Sequence, residues 1–174
     1  LAIHPRSGEL WATNNGRDWL GDDQPPETLY VVTGGMDAGW PRCHAGRIVD
    51  PEFGAEGACQ GVAAPVVEME AHAAPLGLAF YDGDQFPAEY RGSLFVALHG
   101  SWNRSEPVGY KVVRIPLDED GRPAGRVLDF ATGWLLDDGD TVPGRPAGVV
   151  VAPDGSLLVS DDKAGLVYRI RYRP

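Results

Sequence analysis

The sequence predicts an all-β fold, because short apolar runs, abundant turn residues and an internal repeat all point the same way. The runs are four to six residues long, rich in Val, Leu, Tyr and Phe, and bounded by Gly, Pro, Asp or Ser. None has the length or the 3.6-residue period of a helix. With 23 Gly and 15 Pro in 174 residues, turn formers make about a fifth of the chain, which suits many strands joined tightly and falls short of disorder.

The repeat fixes the order of elements. Its first copy runs Leu1–Pro5, a turn at Ser7-Gly8, Glu9–Thr13, a loop, and Thr28–Val32. The second runs Gly77–Tyr81, a turn ending Arg91-Gly92, Ser93–Ala97, a loop, and Tyr110–Ile115. The third runs Gly148–Pro153, the hairpin signal Asp154-Gly155, Ser156–Ser160, a loop, and Leu166–Ile170. A further short run, Pro65–Met69 or Arg126–Phe130, follows each of the first two copies.

Copies start about 71 to 77 residues apart, longer than the ~40–45 of a compact propeller blade, and loops 14–27, 34–64 and 99–109 hold the surplus. The expected architecture is therefore about three blades of four-stranded antiparallel sheet, at approximately 1–70, 71–140 and 141–174, the last incomplete. Three blades do not close a ring, and closure is how a propeller hides its sheet edges. The expectation is that N-terminal blades are missing here, that they reside on another chain, or that this half pairs with a copy of itself.

Composition removes some functions. Fifteen Lys+Arg against 25 Asp+Glu give a net charge of −10, a field that repels nucleic acid. No stretch approaches the ~18 apolar residues of a membrane span. Leu1–Pro5 carries no signal-peptide pattern. Cys43 and Cys59 fall in one Gly/Pro-rich stretch. As a disulfide they would close a loop of about 15 residues, worth roughly 3 kcal/mol, and would suit an exported protein. Two separate buried thiols or a metal pair are the other readings, although no further Cys or His spacing supports zinc.

Up-and-down blades put alternate connections on opposite faces. On one face this gathers the loops at Asn14–Asp18, His99–Arg104 and Asp161–Lys163, with the inter-blade connections Glu70–Pro75 and Thr141–Pro146. The opposite turns are plain, as at Arg6–Gly8 and Asp154-Gly155. Unusual residues thus collect around one mouth, where a rigid scaffold places its sites. Each also has a plain reading: Asn14-Asn15-Gly16 as a turn, His72 as a capped surface histidine, His99 and Trp102 as loop packing, Arg145 as a surface charge. His4 reads as core or edge packing and His44 as an ordinary loop residue.

Gly8–Asp18, Gly34–Pro41, His72–Tyr81, His99–Arg104 and Arg145–Gly155 together resemble, in order, the pyrroloquinoline-quinone (PQQ)-dependent glucose/sorbosone dehydrogenase family. The resemblance covers essentially the whole chain as the C-terminal half. It implies a six-bladed β-propeller, periplasmic or secreted, with PQQ and calcium (Ca2+) in the funnel of one face. The family's calcium-holding backbone carbonyls fall at Gly16 and Arg17, the latter replacing a proline. Arg145 matches an arginine that pairs with quinone carboxylates. A second such arginine is Ala147 here, with Arg104 as the expected substitute, and a cofactor-contacting lysine falls near His99. Glu27 matches a structural-calcium carboxylate of some members, but its aromatic companion is Ala38, so no site is assigned there.

The activity implied is hydride transfer from an aldose or sorbosone-like sugar, or an aldehyde hydrate, to the quinone, with calcium as Lewis acid and a histidine as base. That histidine belongs to the N-terminal blades; His72, His99 and Trp102 are instead expected in the funnel. A noncatalytic binding propeller and a calcium-dependent lactonase are the competing readings. Which sugar or aldehyde is the substrate, and which molecule accepts the electrons, the sequence leaves open.

Overall fold

A computed structural model describes residues 1–173. Its strands are β1 (Ala2–Ile3), β2 (Leu10–Asn14), β3 (Glu27–Val32), β4 (Cys43–His44), β5 (Ile48–Val49), β6 (Val67–Met69) and β7 (Pro75–Phe80). They continue as β8 (Leu94–Leu98), β9 (Lys111–Ile115), β10 (Leu128–Ala131), β11 (Pro146–Val151), β12 (Leu157–Asp161) and β13 (Leu166–Ile170). Among the described residues the one helical element is a 3-10 turn at Ala88–Tyr90.

Two antiparallel sheets have four strands, ordered β1-β2-β3-β6 and β7-β8-β9-β10, and a third has three, β11-β12-β13. The all-β expectation and its four-stranded units are what the structure shows. The 34–64 loop holds structure the sequence did not announce: β4 and β5 pair as a small hairpin, Cys43 opposite Val49.

The first strands of the sheets pack together, β1 and β2 on β7, and β7 on β11, so three sheets radiate from neighbouring inner strands. Both β7 and β11 open with Pro-x-Gly, at Pro75-Leu76-Gly77 and Pro146-Ala147-Gly148, and both have a register shift there. Proline is tolerated at a strand's first residue, and a bulge bends the strand next to the loops. Gly77 explains the close approach: a Cβ there would lie 2.6 Å from the Ala147 carbonyl oxygen.

Between the first two sheets the core is Trp11, Leu29, Met69, Leu78, Phe80 and Leu94 with their neighbours. His4 is buried in this layer, as expected, edge-on to Phe80 at 4.8 Å. Between the second and third sheets the core is more aromatic, with Tyr81, Phe86, Phe95, Tyr110 and Trp134. Tyr81 ties the sheets: its hydroxyl donates to the Gly155 carbonyl at 2.8 Å and accepts the Phe86 N–H at 2.9 Å.

Register puts Asn14, Glu27, Met69, Pro75, Leu98, Lys111, Pro146, Asp161 and Leu166 at one end of their sheets. All five loops singled out in the sequence leave from that end.

Candidate functional site

Backbone carbonyls and one buried carboxylate join these loops in series. Glu27 is 2% exposed, and its carboxylate accepts the Gly16 N–H at 2.6 Å and the Ala74 N–H at 3.0 Å. Burial pushes its pKa up, against the pull of those two donors. The Ala73 and Ala74 carbonyls accept the N–H groups of Gly100 and His99, both at 2.9 Å. Arg145 completes the series. Its guanidinium donates to the Gly100 carbonyl at 3.0 Å, the Ser101 carbonyl at 3.3 Å and the Tyr110 hydroxyl at 3.2 Å. Gly16, His72, His99 and Arg145 therefore belong to one connected patch.

Local sequence makes this fit possible. Gly100 has φ 103°, and a Cβ there would sit 2.3 Å from the Tyr110 ring, so only glycine lets that ring close over the turn. Tyr110 then lies under Arg145, its centroid 5.0 Å from the guanidinium carbon. The Arg145 backbone N–H is held by Asp161 Oδ1 at 2.9 Å. Burial would raise the Asp161 pKa, but N–H donors from Ala164 and Arg145 outweigh it and keep the carboxyl low.

The groups the Arg145 guanidinium touches are two carbonyls, a phenol and, at 3.5 Å, His99 Nδ1. Among the described residues it has no carboxylate partner. An arginine donor at Nδ1 assigns that nitrogen's lone pair as acceptor, so His99 Nε2–H donates to Asp162 at 2.9 Å. A fixed, uncompensated cation beside an oriented imidazole is built to receive an anion.

Arg17 is the opposite case. Its guanidinium donates to Asp50 at 2.6 Å and Glu52 at 2.5 Å and covers the Phe53 ring. Asp50 has no exposed side-chain surface and also pairs with His44 Nε2 at 2.8 Å. Burial raises its pKa, but hydrogen bonds from His44 and Arg17 prevail and hold it well below the usual carboxylate range. His44 is thus not the ordinary loop residue its position suggested. The Cys43–Cys59 disulfide, Cα–Cα 5.3 Å, clamps the same loop. The Arg17 charge is spent away from its own backbone. Neither the Gly16 nor the Arg17 carbonyl accepts a hydrogen bond among the described residues. No cluster of three His, Cys, Asp or Glu side chains able to hold a metal occurs there either.

Two expected site residues have other posts. His72 is buried at φ 66°, with Nε2 on the Gly21 carbonyl at 2.8 Å and Nδ1 on Asn103 Nδ2 at 3.3 Å. With both ring nitrogens engaged it ties the loops of residues 21, 72 and 103 together. Arg104 does not join Arg145 as a substitute cation. It donates to the Asp22 and Ala71 carbonyls and lies 3.5 Å from Asp23.

Trp102 is 63% exposed, edge-to-face with Trp19 at 5.2 Å. Sequence reading missed Trp19, Asn103 and Tyr110. Nothing local in the sequence marks the last, whose φ of 53° is uncommon for an aromatic residue.

The TrAA12-like family model matches residues 49–173. An uncharacterized protein of Borreliella burgdorferi is 39% identical over 98% of this chain and 45% of its own length. A PQQ-dependent pyranose dehydrogenase of Coprinopsis cinerea is 35% identical over 62% of this chain and 16% of its own length. The solved calcium structure of the Trichoderma reesei AA12 enzyme superposes with a TM-score of 0.73 at 20% identity, over 95% of this chain and 49% of that one. The holo PQQ domain of the C. cinerea enzyme gives 0.71 at 23%, over 95% and 51%. The fold is that of the PQQ-dehydrogenase β-propeller domains. This chain spans less than half the length of the curated relatives it matches.

Proposed function

The chain belongs to the TrAA12-like family, and from that premise we propose that it forms the C-terminal blades of a six-bladed quinoprotein that oxidises an aldose or sorbosone-like sugar. The observation that carries this reading is the uncompensated charge of Arg145. PQQ has three carboxylates, and in a protein of net charge −10 a cation must be kept free locally to receive them.

Arg145 is the cofactor's carboxylate partner, and its grip on the Gly100 and Ser101 carbonyls fixes the fork before anything binds. His99, steadied by Asp162, stands beside it in place of the family's lysine. Calcium would be held by the free carbonyls of Gly16 and Arg17, a ligand type that does not depend on side-chain identity. When bound, PQQ with calcium supplies the hydride acceptor and the Lewis acid. Glu27 sets the spacing between the calcium loop and the loop that carries His99, through Ala74. Trp102 faces the substrate side of the mouth.

No histidine of this chain serves as the base. His4, His44 and His72 are buried with a ring nitrogen bonded, and none of the four histidines matches the family's base motif. We place the base on the N-terminal blades. The disulfide supports a periplasmic or secreted location.

The second reading, a propeller that binds without catalysis, is favoured by Ala147 and His99 standing where the family has cations. Titrating the full-length protein with PQQ, calcium and an aldose separates the two. Dye reduction supports the dehydrogenase, binding without turnover supports the second reading, and no binding overturns both. Calcium shown on backbone carbonyls at Gly16 and Arg17 would also exclude a lactonase, whose metal sits on side-chain carboxylates and an Asn.

A further inference from the structure

Two large indoles stand in the open on this face. Trp19 is 75% exposed and Trp102 63%, and they touch each other from loops that start on different sheets. Leaving two tryptophans in water forgoes most of the stabilisation that burying a large apolar side chain brings, so a contacting pair of exposed ones asks for an occupant.

The pair is held in place. Asn103, next to Trp102, donates from Nδ2 to Asp18 Oδ1 at 2.9 Å, and Asp18 is next to Trp19. The same amide touches His72 Nδ1, and Ser105 N–H donates to both oxygens of Asp22 at 3.2 Å. Trp19 keeps φ at 68°, an uncommon conformation for an aromatic residue that these contacts hold in place.

The surroundings define the chemistry of the occupant. Asp18 is 42% exposed at its side chain, and only Oδ1 takes the Asn103 hydrogen bond, so Oδ2 is left to accept. Asp22 and Asp23 flank the platform, while the nearby Arg104 guanidinium is engaged by the Asp22 and Ala71 carbonyls. An anion would meet repulsion. A neutral polyol with one apolar C–H face suits both halves: the face lies on an indole and a hydroxyl donates to Asp18.

Resting on the sugar-oxidising reading, we propose that Trp19, Trp102 and Asp18 form an outer subsite for a second, neutral pyranose unit of the substrate. Its place follows from one loop. Residues 99–101 carry the contacts of Arg145, and Trp102 comes next, at most about 10 Å of extended backbone from His99. The loop thus turns one end to the cofactor's cation and the other to the saccharide.

The test is a tryptophan-fluorescence titration of the full-length protein with cellobiose, D-glucose and D-glucuronate, alongside Trp19→Ala, Trp102→Ala and Asp18→Asn. Cellobiose is expected to perturb the emission and bind more tightly than glucose, with glucuronate weakest. Each alanine variant should raise the cellobiose Kd about tenfold, the loss of roughly one stacked aromatic contact. Trp19→Phe and Trp102→Phe keep a ring face and should recover most of that affinity, which separates a lost contact from a misfolded loop. Cellobiose binding equal in wild type and both alanine variants, or glucuronate preferred over cellobiose, overturns the subsite. Tryptophan-dependent cellobiose binding without PQQ-dependent dye reduction keeps the subsite and removes the dehydrogenase reading. Dye reduction with tryptophan-independent binding does the reverse.

Discussion

Arg17 and Arg145 are both immobilised guanidiniums in loops of the same face, and what immobilises them differs. Arg17 is held by Asp50 and Glu52, so its charge is cancelled inside the protein. Arg145 is held by carbonyls, a phenol and an imidazole, so its orientation is fixed and its charge remains. On the proposed reading, a structural arginine and a ligand-binding arginine are told apart by the charge of their partners, since rigidity is common to both. The comparison also reassigns the replacement of proline at position 17. The new side chain anchors the disulfide-clamped loop and leaves its own carbonyl clear.

The largest effect that would sharpen this contrast is on cofactor affinity. Arg145→Met in the full-length protein should weaken PQQ binding by roughly 100-fold, within the 2–5 kcal/mol typical of truncating one partner of a desolvated charge pair. Arg17→Met should leave PQQ affinity where it was and lower the melting temperature. Quenching titrations and thermal scans of the two variants check both statements. Equal loss of affinity in the two would break the comparison.

How much of this was legible beforehand follows the same division. The strands were readable because each is a short apolar run closed by Gly, Pro or Asp, and β13 falls on the expected Leu166–Ile170. Arg145 stood out because it precedes Pro146, whose ring restricts the backbone there, in a short connection. What stayed hidden was pairing at long range. Arg17 meets Asp50 across 33 residues, Asn103 meets Asp18 across 85, and His99 meets Asp162 across 63. Such partners carry no local signature, because any exposed carboxylate looks alike in sequence until the fold brings one of them in. The bonds of His72 stayed hidden for the same reason: its setting before Ala-Ala-Pro says nothing of the Gly21 carbonyl 51 residues away.

The next effect tests the anchored side alone. Cys59→Ser opens a loop of sequence separation 16, and the chain-entropy relation puts the loss near 3 kcal/mol. Urea unfolding of the variant measures it. The expectation is reduced stability with PQQ affinity retained, because the clamp supports Arg17 and not Arg145. Loss of PQQ affinity at full stability would mean that the two regions are coupled.

Glu27 lies between them, with Gly16 on one carboxylate oxygen and Ala74 on the other. Glu27→Gln keeps one acceptor and presents an amide N–H to a backbone donor, which should cost about 1–3 kcal/mol for the buried group left unpaired. Calcium affinity should fall with it, since Gly16 loses its brace, and this can be read by calcium titration.

The smallest effect is the pH dependence of that loss. Burial raises the folded-state pKa of Glu27 above its ordinary value, so the native state binds this proton more tightly than the unfolded chain does. Its contribution to stability is therefore largest at low pH and declines as pH rises through the raised pKa. Asp50 and Asp161 act with the opposite sign: their folded pKa values are depressed, and their stabilisation is present above the ordinary Asp value and lost as pH falls. The two windows adjoin: the Asp contributions change below the ordinary Asp value, and that of Glu27 between the ordinary Glu value and its raised folded pKa. Glu27→Gln removes only the Glu27 window, so over the range above the ordinary Glu value the variant's stability should decline less with rising pH than the wild type's. Denaturation midpoints at the two ends of the range check it. A penalty identical at both ends would show that Glu27 titrates in the folded protein as an ordinary carboxyl.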